Sequence, residues 1–127
     1  MRVILVRHAK AAPGQPDELR PLTESGRESA RLLGGLLAEQ DPDTVVSSPL
    51  LRARETAAEI AAAAGLEAAV DERLAPGTTV ESLRAAVTGR GELVIAVGHQ
   101  PDCSEIVLAL TGREVAFPTA GFAEVEL

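Results

Sequence analysis

The sequence has no tryptophan, no tyrosine and no asparagine, only two phenylalanines, and a single cysteine. With so few rings it cannot build the aromatic platforms on which proteins stack single-stranded nucleic acid. Twelve basic residues against nineteen acidic ones leave a net charge of −7, the wrong sign for the basic footprint of a duplex binder. Cys103 has no partner for an internal disulfide, as expected of a protein kept in a reducing cytoplasm. The apolar run near the start, Val3 to Val6, is far too short for a signal-peptide core or a membrane span. These absences predict a soluble cytoplasmic protein with neither nucleic acid nor membrane as partner. Lysine is nearly absent too: Lys10 stands alone beside eleven arginines. That bias, with abundant Ala, Gly and Pro, points to a GC-rich bacterial genome, so a lone surface arginine carries little weight.

The 127 residues are 46% apolar, enough to fill one core and suited to a single domain over residues 1–127. That core must be made of Val, Leu, Ile and Ala. Short β-branched runs alternate with longer Ala/Leu-rich segments, which predicts a three-layer α/β/α fold around a mostly parallel sheet. The first strand is read over Arg2–Arg7, apolar on both faces as a covered strand should be. A helix is expected from about Thr23 to Glu39, capped by Thr23, with Ala30, Leu33, Leu36 and Leu37 as its buried stripe. A strand over Thr44–Ser47 leads to Ser48-Pro49, read as N-cap and first helical residue, and that helix runs to about Ala64, before Gly65. A weaker strand covers Glu67–Val70. Thr78 with Glu81 reads as a capping box for a helix through Val87. A buried strand follows at Leu93–Val97, and Asp102 with Glu105 fits the cap of a helix through Leu110. A final strand pair is expected over Val115–Phe117 and Phe122–Leu127, one member antiparallel.

The chain has two histidines, and each directly follows an apolar strand: Arg7-His8 after Val3–Val6, and Gly98-His99 after Leu93–Val97. Ligands of open α/β sheets bind where the carboxyl ends of strands meet loops and helix N-termini. The third strand end, Ser47-Ser48-Pro49-Leu50-Leu51-Arg52, brings Arg52 to the same edge. Two imidazoles and two guanidiniums suit a phosphoryl group. Arginine binds phosphate oxygens through paired donors, neutral imidazole is a nucleophile toward phosphorus, and imidazolium donates to developing charge. Two histidines with no carboxylate at ligand spacing make a poor zinc site, so neither metal nor cofactor is expected. The plain alternatives are a strand-end surface charge for Arg7 and a helix-face pair of Arg52 with Glu55.

Four segments, LVRHAKA at 5–11, RPLTESGRESA at 20–30, VVSSPLLRARETA at 45–57 and VIAVGHQP at 94–101, occur in the order and spacing of the histidine phosphatase (phosphoglycerate mutase-like) superfamily. They most resemble its short SixA-type phosphohistidine phosphatases. The resemblance implies a phosphoglycerate mutase-like fold, His8 as a transiently phosphorylated nucleophile, and Arg7, Arg52 and His99 as catalytic groups holding the phosphoryl oxygens. It implies Arg20 as a further phosphate-binding residue at the pocket edge. Ser47 and Ser48 are assigned to the turn and helix cap, Lys10 to solvent, and Cys103 to buried packing.

Two departures from the family pattern matter. Ala9 stands where most members have glycine after the histidine. Ester-cleaving members also carry a proton-donating Glu or Asp after the third strand, where this chain reads DERLAPGTT, with Pro76 at the corresponding place. Asp71, Glu72 and Glu81 remain as candidate acids nearby. An alkoxide needs a proton donor to leave, whereas a phosphorylated imidazole can be protonated before its bond breaks. The sequence therefore predicts a metal-independent phosphatase acting on phosphohistidine in a protein. The alternatives are a small phosphate ester as substrate, or a phosphate-recognition module without turnover.

Overall fold

Alternation along three strands decides the architecture. In the computed structural model, which describes residues 1–127, β1 (Arg2–Arg7), β2 (Thr44–Ser47), β3 (Ala69–Val70), β4 (Leu93–Gly98) and β5 (Phe122–Glu126) form one sheet in the order β3-β2-β4-β1-β5. Odd and even residues of each central strand face opposite sides. Ile4, Val6, Val45, Ile95 and Val97 pack beneath α1 (Glu24–Ala38) and α2 (Leu51–Ala63). Val3, Leu5, Val46, Val94 and Ala96 pack beneath α3 (Val80–Val87) and α4 (Asp102–Thr111). Both faces are covered, which is why the strands read as unbroken apolar runs. The fold is thus α/β in three layers, with β1–β4 parallel and β5 antiparallel to β1. No helix is long and apolar enough to cross a membrane.

Several local expectations are corrected by tertiary contacts. Leu36 is exposed, and the second small residue of the stripe is Gly34. A Cβ at Gly34 would lie 3.0 Å from the Glu59 carbonyl oxygen and 3.1 Å from Ile60 Cα, so its absence lets α1 approach α2 closely. Ser48 does not cap α2, whose first turn opens one residue after Leu50. Thr79, not Thr78, caps α3 by accepting from the Ser82 N–H, while Thr78 donates to the Arg73 and Ala75 carbonyls. Asp102 is the first residue of α4 and accepts from the Gly77 N–H instead of capping its own helix.

The expected strand at Val115–Phe117 is absent, and the weak third strand shortens to Ala69–Val70. The 115–121 segment has other partners for its backbone. Val115 O accepts from the Ser104 hydroxyl, Phe117 O accepts from Arg7 Nη1, and the Ala120 N–H is donated to the Arg7 and His8 carbonyls. The chain is bent there by Ala120, at φ 59°. It therefore wraps the end of β1 and leaves only Phe122–Glu126 to pair with it.

Gly26, at the start of α1, carries a direct consequence. A Cβ there would meet Lys10 O at 2.1 Å, a backbone atom of the segment that follows His8. Gly26→Ala is expected to lower stability by about 1–3 kcal/mol, read from denaturant unfolding, because either α1 or residues 9–11 must move. An unchanged unfolding midpoint would show that the two backbones are not locked together.

Candidate active site

β2, β4 and β1 are neighbours in the sheet, and their register sets Arg7 opposite Gly98 and Ser47 opposite Val97. The ladder runs one residue further, from His8 N–H to Gly98 O and from Ser48 N–H to Val97 O. His8, His99 and Ser48 therefore sit side by side where the strands end. The helix after β1 lies on one face of the sheet and the helix after β4 on the other, so the crevice is the switch point of the topology.

The two imidazole rings face each other with centroids 5.3 Å apart and planes inclined by 57°. His8 Nδ1 donates to its neighbour's carbonyl, Ala9 O, at 2.7 Å. A carbonyl only accepts, so Nδ1 carries the proton and Nε2 keeps its lone pair. Burial lowers the His8 pKa; the Ala9 carbonyl opposes this, and the positive charges of Arg52, Arg7 and Arg20 lower it further. For His99, burial is again the largest cause, followed by His8 and Arg52, and the pKa falls to about 4. Both rings are thus neutral at pH 7, and His8 presents an unprotonated Nε2. With only two histidines, imidazole NMR can read this directly. Both resonances are expected to titrate below 6.5, His99 at about 4. A midpoint above 6.5 for either would contradict the electrostatics.

His99 is buried, and its Nε2 lies 2.7 Å from Ser48 Oγ. That oxygen also accepts from the Leu50 N–H at 3.2 Å, and with the Ser48 hydroxyl hydrogen donated to Nε2 the His99 proton sits on Nδ1. Two buried nitrogens have no protein partner, His99 Nδ1 and Arg7 Nε. Both are N–H donors in this assignment, suited to the oxygens of an anion. Arg52 is almost fully buried, with Nη1 on Asp17 O at 2.9 Å and Nη2 on Asp17 Oδ2 at 3.2 Å. Arg20 donates from Nε to Ala12 O and from Nη1 to Asp17 Oδ1. The structure thus gathers His8, His99, Arg7, Arg52 and Arg20 about one crevice. Glu55 is not the partner of Arg52: it accepts from the Leu22 N–H and pairs with Arg27.

A family model described as the histidine phosphatase superfamily (branch 1) matches residues 3–76. The chain belongs to that superfamily. Phosphohistidine phosphatase SixA of Escherichia coli is 31% identical over 138 residues, covering the whole of this chain and 86% of that protein. A solved structure of the protein histidine phosphatase SixA complexed with tungstate superposes with a TM-score of 0.87 at 31% identity, covering 100% of this chain and 88% of that one. Phosphoserine phosphatase 1 of Hydrogenobacter thermophilus is 35% identical over 79 residues, spanning 58% of this chain and 37% of that protein. The chain is accordingly a phosphatase, a hydrolase, with the mixed five-stranded sheet and four helices of this superfamily.

Against the superfamily pattern, the alanine after His8 gains a physical account. Ala9 is fully buried and its methyl packs with Leu22 and Ala30. Its N–H is donated to Thr56 Oγ1, whose hydroxyl donates to Arg52 O, so the backbone directly after His8 is tied to the helix carrying Arg52. The candidate acids fare differently. Asp71 is buried between Arg73 and Arg90, and chiefly the Arg73 hydrogen bonds hold its pKa down at about 2. It is a carboxylate at any working pH and has no proton to give. Glu72 and Glu81 are exposed in the first turns of their helical segments. Lys10 is exposed. Cys103 is buried and its thiol is pushed up to about 12, mainly by burial, so it is not a reactive thiolate.

Sequence reasoning missed two residues in this histidine phosphatase. Ser48, read as a helix cap, reaches His99; Asp17, given no role by the sequence pattern, reaches Arg52. Ser48 follows β2 as His8 follows β1 and His99 follows β4, and that shared strand-end position was the available signal. Ser48→Ala is expected to lower kcat about tenfold, the equivalent of one positioning hydrogen bond, with little change in KM. It should also shift the His99 tautomer balance in the imidazole spectrum. An unaltered spectrum would remove Ser48 from this role.

Proposed function

We propose that this single domain removes phosphate from phosphohistidine borne by a protein, through a phosphoryl intermediate on His8 and without a metal. The observation that carries the reading is a free His8 Nε2 in a crevice whose contacting carboxylate, Asp17, is engaged by Arg20 and Arg52, while Asp71 is held as a carboxylate by Arg73. In this mechanism His8 Nε2 attacks phosphorus in line, and the phosphoryl oxygens are held by Arg7, Arg52 and His99 Nδ1, with Arg20 at the edge. The charge developing in transfer is met by fixed donors already in place. Phosphorylated His8 still has its Nδ1 proton on the Ala9 carbonyl, so water can displace a neutral imidazole in the second step. No three His, Cys, Asp or Glu side chains are grouped to hold a metal ion, and the arginines supply the positive charge instead.

The likeness to SixA over the full chain, and the tungstate complex of a relative (tungstate is a tetrahedral oxyanion), support the substrate and the anion site. A second reading, hydrolysis of a small phosphate ester, has the phosphoserine phosphatase relative in its favour over 58% of this chain. The test is a matched pair of substrates, a phosphohistidine peptide and the corresponding phosphoserine peptide, assayed with chelator present. Faster turnover of phosphohistidine is expected, undiminished by chelator. Preference for the ester, or loss of activity to chelator, would overturn the reading.

A further inference from the structure

Asp17 is the one carboxylate in contact with the arginines of the site. It puts two carboxylate oxygens and its own carbonyl on two guanidiniums: Oδ2 on Arg52 at 3.2 Å, Oδ1 on Arg20 at 3.0 Å, and the main-chain oxygen on Arg52 at 2.9 Å. Its charge is also felt at His99. Arg52 is nearly buried while the Asp17 side chain is 61% exposed. The short 3-10 turn Asp17–Leu19 that carries it has no buried residue. Arg20 is tied independently to Ala12 O. The carboxylate can therefore leave Arg52 to an incoming phosphoryl group and remain beside it on Arg20, at the outer side of the crevice.

What such a carboxylate does there depends on the substrate. Its arginine partners, Arg20 first, hold its pKa below the ordinary carboxylate range, so at neutral pH it is an anion and not a proton donor. An anion beside the crevice repels the dianion of a phosphate ester and gives nothing to a neutral alcohol. A phosphorylated imidazole differs, because its second ring nitrogen can hold a proton and make the ring a cation. We propose that Asp17 is the specificity-determining residue of the site: it pairs with that ring N–H and so selects phosphorylated imidazoles over phosphate esters. The inference rests on the phosphohistidine reading above and adds the residue that enforces it.

The step balances without proton transfer from the enzyme. The bond from phosphorus to the leaving ring nitrogen breaks, with its electron pair remaining on that nitrogen. The His8 Nε2 lone pair forms the new bond to phosphorus. Because the other ring nitrogen already carries its proton, the ring departs as neutral imidazole. Asp17 favours this protonated, departure-ready form by accepting its N–H, and neither gains nor loses a proton itself.

The experiment compares wild type with Asp17→Asn on phosphoimidazole and on phenyl phosphate, with inorganic phosphate as competitive inhibitor. The ratio of kcat/KM for phosphoimidazole over phenyl phosphate is expected to fall about tenfold or more in the variant. The ester rate should rise, because the repelling carboxylate is gone, and phosphate should inhibit about tenfold more tightly because no carboxylate competes for Arg52. Asp17→Glu, which keeps the charge, should recover part of the ratio. Wild-type enzyme inert toward phosphoimidazole would sink the underlying reading and the selection with it. Wild-type enzyme active on it, with an unchanged ratio in Asp17→Asn or an equal loss on both substrates, would overturn the role of Asp17 alone.

Discussion

His8→Ala is expected to abolish turnover of every phosphorylated substrate, with a fall in kcat on the order of 10³-fold or more. The size follows from the chemistry. A nucleophile divides one displacement at phosphorus into two easier ones, and nothing else in the crevice can replace it. His99, the other imidazole, is buried with Nε2 engaged by Ser48, and in the Nδ1–H tautomer it presents no lone pair to phosphorus. Cys103 is buried with a thiol held in its neutral form. The alanine variant should keep the fold, because the His8 backbone bond to Gly98 remains. It should also still bind phosphate, since Arg7, Arg52 and His99 are untouched. Loss of turnover with retained phosphate binding separates a missing nucleophile from a collapsed site. Substantial turnover in this variant would remove His8 from the reaction.

Arg52→Ala carries the second largest expected effect, a loss of about 10²–10³-fold in kcat. Arg52 is a buried cation whose only anionic partner is the exposed Asp17, so in the resting enzyme its charge is poorly satisfied and available. At a largely buried guanidinium, paired N–H donors act more strongly on phosphoryl oxygens than they would on the surface. Lysine should not rescue the loss, because a single ammonium cannot reproduce the paired donors. The effect should fall on kcat as well as KM, since the charge on the transferring group is redistributed in the transition state. A change confined to KM would mean that Arg52 merely docks the substrate.

Much of this arrangement could be read along the chain because strong local signals agreed with the global fold. The unbroken apolar runs of β1 and β4 required cover on both faces, and the histidines ended those runs, so their meeting at one sheet edge followed from parallel pairing. The misread elements are those where a distant group decided the local outcome. Val115–Phe117 has strand-forming residues, yet its carbonyls are taken by Ser104 and Arg7. Leu36 fits a helical stripe, but the contact between α1 and α2 runs through Gly34. Thr78, Ser48 and Asp102 all carry capping side chains, and each is drawn instead to a partner outside its own helix turn. Asp17 lies in a Pro- and Gly-bearing loop with no periodicity, so nothing in the residue pattern tied it to Arg52, thirty-five positions away.

Rapid quenching of the enzyme with ³²P-labelled phosphohistidine peptide, followed by peptide mapping of the trapped protein, locates the phosphoryl group between substrate and water. An acid-labile, alkali-stable label is expected on the peptide containing His8, formed and lost at rates that match turnover. A turnover-competent enzyme that carries its label on any other residue, or passes phosphate to water with no covalent species on the time scale of a single turnover, would contradict it.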